Sequence, residues 1–141
     1  MTKVLLSLHV LAAIVAIGPV TVAASMFPGL LKRDPDRTVL RVLHRICRVY
    51  AALGLLVPVL GLATASALGV LTDAWLLVSV ALTGVAAVLL VGVVLPRQAA
   101  ALVTPDRNAA RRLGMVTGVF NVLWAAVVVL MIVRPGSTTG A

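Results

Sequence analysis

Four apolar stretches free of charged residues, Val4–Leu31, Val49–Thr72, Ala74–Pro96 and Leu113–Val133, alternate along the chain with short polar segments. Crossing a hydrocarbon core of roughly 30 Å as a helix takes about 20 residues, and each stretch meets that length. The pattern predicts an all-α fold, a bundle of four transmembrane helices over 4–27, 36–68, 74–96 and 106–133, with a tail at 134–141 and a single membrane domain over 1–141. Pro28 and Pro96 are expected to close the first and third spans. Pro19 and Pro58 fall inside apolar runs and are expected to kink them, freeing carbonyls that neighbours must satisfy.

Polar positions set the orientation. Of the twelve Lys and Arg residues, six (Lys32, Arg33, Arg37, Arg41, Arg45, Arg48) separate the first two spans and four (Arg97, Arg107, Arg111, Arg112) separate the last two. Cytoplasmic loops collect Lys and Arg, so both long loops are expected in the cytoplasm and both termini outside, in a bacterial inner membrane. Trp75 then fits an aromatic belt at the outer surface. The basic loops resemble each other: Asp34-Pro35-Asp36-Arg37 matches Thr104-Pro105-Asp106-Arg107 at an offset of 70 residues. Asp34 and Thr104 suit N-caps and the prolines suit the first helical turn. Two parallel helical-hairpin repeats are therefore expected.

After Pro35 the sequence turns amphipathic. Arg37, Arg41, Arg45 and Arg48 form a basic stripe beside Val39, Leu43, Ile46 and Tyr50, suited to lipid headgroups. Small residues recur at helical spacing: Ala12 and Ala16, Gly61 and Ala65, Gly114 and Gly118. These suit helix packing in lipid, where burying apolar surface gains little.

Composition narrows the class. Hydrophobic residues make up 62% and charged residues 11%. Soluble domains carry about 25% charged residues. The formal charge of +8 flanks apolar spans and comes with few aromatics, so membrane lipids, not nucleic acid, are the expected partner. The first span begins with Lys3 and contains Val22-Ala23-Ala24, but its apolar core exceeds the roughly 7–15 residues of a secretory signal, so it is expected to be retained. Cys47 is the only cysteine, which excludes an internal disulfide.

Chemistry-bearing residues are few. Intramembrane polar groups are Asn121 and Trp124 in the fourth span, Ser79 and Thr83 in the third, and Thr21 and Ser25 in the first. His9 shares a face with Ala12, Ala13 and Ala16 and is expected to point into the bundle. Met131 lies at about its depth, and such a pair can ligate haem or a soft copper ion. His44 and Cys47, one helical turn apart, offer a weaker soft-metal pair with Met26 or Met115. His9 and His44 sit near opposite faces, too far apart to share one haem. No acid–histidine–nucleophile set, phosphate loop or zinc motif is present, so no catalytic residue is assigned.

The run Leu8-His9-Val10-Leu11-Ala12-Ala13-Ile14-Val15-Ala16-Ile17-Gly18 resembles the first helix of CopD-like copper-resistance and HemJ-like haem-biosynthesis membrane proteins. With Gly61-Leu62, Asp73-Ala74-Trp75 and Pro96-Arg97, the chain is more similar to an uncharacterised bacterial family of small four-helix membrane proteins. The resemblance implies the fold and points to His9 as the residue that redox-linked relatives use. The first expectation is a non-catalytic bundle acting through helix packing, as an accessory subunit of a membrane complex or a homo-oligomer, with no cofactor required. The alternatives are a haem-, copper- or quinone-linked protein centred on His9, and a small oligomeric transporter or channel.

Overall fold

The computed structural model describes residues 2–33, 37–104 and 106–136. These form helices α1 (Thr2–Arg33), α2 (Arg37–Leu53), α3 (Leu56–Leu68), α4 (Ala74–Leu89), α5 (Leu95–Val103) and α6 (Arg107–Val133), with a π-helical turn, Leu90–Val94, joining α4 to α5. No strand occurs among the described residues. Four units are long and apolar enough to cross a membrane: Thr2–Arg33, Arg37–Leu68, Ala74–Val103 and Asn108–Val133, with mean hydropathies of 2.2, 2.0, 2.7 and 2.5. Their outer surface is apolar, with Val122 69%, Val88 68% and Ile14 64% exposed.

The units differ from the expected bounds at their prolines. Pro28 does not close the first span; it is buried inside α1, which runs on to Arg33. Pro96 does not close the third span either, because it opens α5. A proline ring cannot serve the carbonyl four residues back and crowds it. The π turn immediately before Pro96 loosens the ladder where that conflict falls. It also corrects a phase. Ala86, Leu90, Val94 and Gln98 are all buried at every fourth position. In a regular helix with 3.6 residues per turn, such a line drifts about 40° per step. The wider π turn takes that drift back, so Gln98 still faces inward.

The expected long helix over 36–68 is interrupted at Gly54 and Leu55. Pro58 lacks the N–H that would serve the Gly54 carbonyl, which instead accepts from the Val57 amide at 3.1 Å. The fourth helix also starts differently. Asp106, not Thr104, is its N-cap, its carboxylate accepting from the Asn108 amide at 3.2 Å, while Thr104 ends α5. Asp34, Pro35, Asp36 and Pro105, on which the repeat rests, lie outside the described residues, as does the tail beyond Gly136.

α1 is the centre of the bundle and packs against α2, α3 and α6, while α4 packs against α6. α3 and α4 meet sparsely despite being joined by the turn over 69–73. Gly69 adopts the left-handed conformation (φ 73°) that closes α3, with Val70 donating to Ala65 O at 3.1 Å. Packing is uneven along the bundle. The half carrying the basic segments is filled by one large cluster that includes Val20, Phe27, Cys47, Val94 and Leu113, each at most 1% exposed. The half near Trp75 holds only two small clusters, around Trp75 and around Ile17.

Candidate functional site: a hollow beside His9

The loosely packed half carries two cavities of about 610 and 250 Å³, both partly open to the outer surface. Both are walled by α1, α3, α4 and α6, and almost every lining side chain is apolar. His9, Gly61 and Met131 line both. The expected inward direction of His9 holds: it is 9% exposed on a face with Ala16 at 3%. Met131 is half-buried against the cluster of Trp75 instead of facing outward.

His9 is held from two sides. Its Nδ1 lies 2.9 Å from the carbonyl oxygen of Val57, just before Pro58. A carbonyl only accepts, so Nδ1 donates and carries the proton. The ring stacks onto Gly61, where an added Cβ would stand 2.9 Å from His9 Cε1. In the neutral ring Nε2 then keeps its lone pair. Among the described residues the sealed polar side-chain atoms without a partner are Thr117 Oγ1 and Asn121 Oδ1. Nε2 makes no hydrogen bond and is not one of them, so it retains access to the space that His9 lines.

The same end is bordered by Trp75 and Arg134. Trp75 is 7% exposed, within the core and not on a lipid-facing belt. Its indole N–H donates to Asp73 Oδ2 at 3.1 Å, and the Arg134 guanidinium lies 5.5 Å from the ring centroid, in cation–π range. Arg134 is in the left-handed conformation (φ 48°) and its Nε reaches Met131 O at 3.4 Å. Trp124 lines the smaller cavity, so both tryptophans of the chain border the hollow.

His44 and Cys47 meet a residue absent from the sequence expectation. Gln98, fully buried on α5, accepts through Oε1 from His44 Nδ1 at 3.0 Å, since an amide oxygen only accepts. The Gln98 amide nitrogen in turn donates to Cys47 Sγ at 3.7 Å. His44 is therefore engaged with α5 and is not a further member of the basic stripe. Met26 and Met115, the expected additional sulfur donors, are 48% and 65% exposed. Among the described residues no group of three or more His, Cys, Asp or Glu could hold a metal ion. The only sequence signal for Gln98 was an uncharged amide just past Pro96, on the wrong side of the expected stop.

The remaining expected positions separate. Arg37, Arg41, Arg45 and Arg48 are exposed, and the buried face of α2 is Leu40, Leu43 and Cys47, with Val39 outside it. Asn121 donates from Nδ2 to Ser25 Oγ at 2.9 Å, joining α6 to α1. Ser79 is fully buried and donates to Trp75 O at 2.8 Å; Thr83 donates to Ser79 O at 2.7 Å. Ala65 is 3% exposed, and Ala12 is half-buried beside Ile17. Gly114 faces Pro28 at 3.8 Å from an ideal Cβ, whereas Gly118 meets nothing within 4 Å.

No family model, curated protein or solved structure matches this chain.

Proposed function

We propose that this chain is a multi-pass inner-membrane protein that holds a lipid-soluble organic ligand in the hollow beside His9, with the imidazole as its polar anchor. One observation carries the reading: a buried histidine whose Nδ1–H is committed to a backbone carbonyl borders a cavity of about 610 Å³ whose other lining is apolar apart from Thr64 and Arg134. Helices sealed only for packing have no use for such a void, since each unfilled space forfeits contact energy. Ligand pockets are concave, apolar and furnished with few polar groups, and at about 300–1,000 Å³ they match this scale. An ionisable residue at membrane depth is by default functional. Haem or copper is a narrower form of the same reading, with His9 Nε2 and the Met131 thioether as the available donors. No catalytic step is part of the proposal.

The test uses the two tryptophans. A brominated phenol added to the protein in lipid nanodiscs is expected to quench their fluorescence saturably, and His9→Leu is expected to weaken binding about tenfold, the scale of one hydrogen bond in an apolar site. Quenching that rises linearly and is indifferent to His9→Leu refutes the reading.

A second reading, association with another copy or another membrane subunit, has one observation in its favour. Gly118 is exposed on α6 with open space around it. Small residues are what helices in lipid pack with.

The orientation proposed with this function puts both basic segments in the cytoplasm, with Arg37, Arg41, Arg45 and Arg48 at anionic headgroups. Thr72→Cys, in the exposed turn after α3, is then expected to react with an impermeant maleimide added to intact cells, while buried Cys47 stays silent. Reaction only after the membrane is opened reverses the orientation.

A further inference from the structure

The geometry points to a more specific ligand: we propose that the hollow takes a hydroxyl-bearing head with a long hydrocarbon chain, the hydroxyl donating to His9 Nε2 and the chain leaving into the bilayer between α3 and α4. This rests on the reading above and adds two claims to it, one about the head and one about the tail.

The head follows from the tautomer. Val57 O fixes the proton on Nδ1, so Nε2 of the neutral ring can only accept. A ligand matched to it brings a donor. Phenols, quinols and alcohols qualify; quinones, ethers and esters offer only acceptors and leave Nε2 unmet.

The tail follows from the shape. The two cavities share His9, Ala13, Gly61, Leu76, Val128 and Met131, so they adjoin, and we treat them as one chamber whose narrow part lies away from the Trp75 end. Its narrow part follows the seam where α3 and α4 scarcely touch. Leu62 on α3, with Val80, Gly84 and Ala87 on α4, line that part and are also exposed on the outer surface. A residue that faces both the cavity and the outside marks a lateral mouth. Gly84 sits in it, and an ideal Cβ there meets nothing within 4 Å. The wider part also has exposed lining, Val10 and Ile14 on α1 with Val128 and Ile132 on α6, but these two helices pack against each other far more extensively than α3 and α4 do. At the other end Arg134 lies over the Trp75 ring. The least-packed seam for a chain anchored at His9 is therefore the one past Gly84.

Burying a chain gains little in a solvent that is itself hydrocarbon. Chain length is thus expected to leave affinity unchanged when the mouth is open and to weaken it when the mouth is plugged. The experiment measures tryptophan quenching in nanodiscs by a bromophenol, its decyl-chain homologue and the methyl ethers of both, with concentrations counted in the lipid phase. In the natural protein the two phenols are expected to bind within threefold of each other and each methyl ether about tenfold more weakly than its phenol. Gly84→Leu is expected to lower affinity for the decyl phenol at least tenfold while leaving the short phenol within threefold. Gly92→Leu, at another open glycine on the same span but outside the chamber, is the control and should change neither.

Equal loss of both phenols in Gly84→Leu, or no loss of either, overturns the lateral exit. Ethers that bind as tightly as phenols overturn the donor head. Both results presuppose saturable, His9-dependent quenching, so they are distinct from failure of the binding reading itself. Should Gly84→Leu not fold, a decyl phenol brominated on the chain replaces it. In a Trp75→Phe background, the remaining tryptophan is Trp124, which borders the same mouth. Strong quenching by the chain bromine supports the route, and quenching no greater than by free bromodecane overturns it.

Discussion

Gly61→Ala is expected to abolish ligand binding at His9 and to destabilise the bundle by about 1–3 kcal/mol, the usual cost of overpacking a tight contact. The added methyl would stand 2.9 Å from Cε1 and 3.2 Å from Nδ1 of His9, inside the limit of real Cβ contacts. The ring cannot slide away freely, because Nδ1 is tied at 2.9 Å to Val57 O on the same helix as Gly61. Moving it breaks that bond, worth about 0.6–1.7 kcal/mol between helices in lipid. The displaced ring then swings into the hollow that the ligand needs. Gly118→Ala supplies the contrast, since its new methyl meets nothing. Removing a mid-helix glycine there should be neutral or should stabilise by roughly 0.5–1 kcal/mol. Equilibrium unfolding of both variants in mixed micelles, followed by helical circular dichroism, checks the stabilities, and bromophenol quenching checks the site. A Gly61→Ala protein that binds and unfolds like the natural one would mean that His9 is not clamped in the way described.

Those two glycines show what the sequence could and could not disclose. Gly61 and Gly118 look alike in the chain: each sits four residues from another small residue in an apolar run. Which of them receives a side chain depends on helix rotation and on the neighbour opposite, and neither is written locally. The four spans were legible because lack of charge over about 20 residues has one common physical reading. The inward direction of His9 was legible too, from the alanines on its face. Its partner was not, because a backbone carbonyl has no letter of its own. Pro58 was the nearest clue, marking a kinked stretch whose carbonyls seek outside donors. The hollow was invisible because a void arises from the shapes that helices fail to fill. The helix stops at Pro28 and Pro96 were misread for one reason: proline ends helices in water, whereas long apolar helices keep it by means of a π turn or neighbouring packing. That misreading hid Gln98, the residue that binds the basic half together.

Gln98→Leu is expected to lower stability by about 1–3 kcal/mol, because it strands polar groups on two other residues at once. Gln98 is fully buried, yet its amide is satisfied on both sides, by His44 Nδ1 at 3.0 Å and by Cys47 Sγ at 3.7 Å. It ties α2 to α5 through both of these hydrogen bonds. Leucine matches the volume closely, so the packing around Val94 and Ala101 should survive and the loss should be mostly polar. The thiol tolerates isolation, being a weak hydrogen-bonding group that behaves as a small hydrophobe. The imidazole does not, and carries most of the penalty. Replacing both partners by apolar groups of similar shape can be nearly neutral. The double variant His44→Phe with Gln98→Leu is therefore expected to be more stable than Gln98→Leu alone, with a coupling of about 0.5–3 kcal/mol between the two positions. Unfolding of the four proteins in one detergent measures that cycle. Additive losses would show that His44 and Gln98 do not depend on each other, and the α2–α5 seam would then rest on its apolar contacts alone.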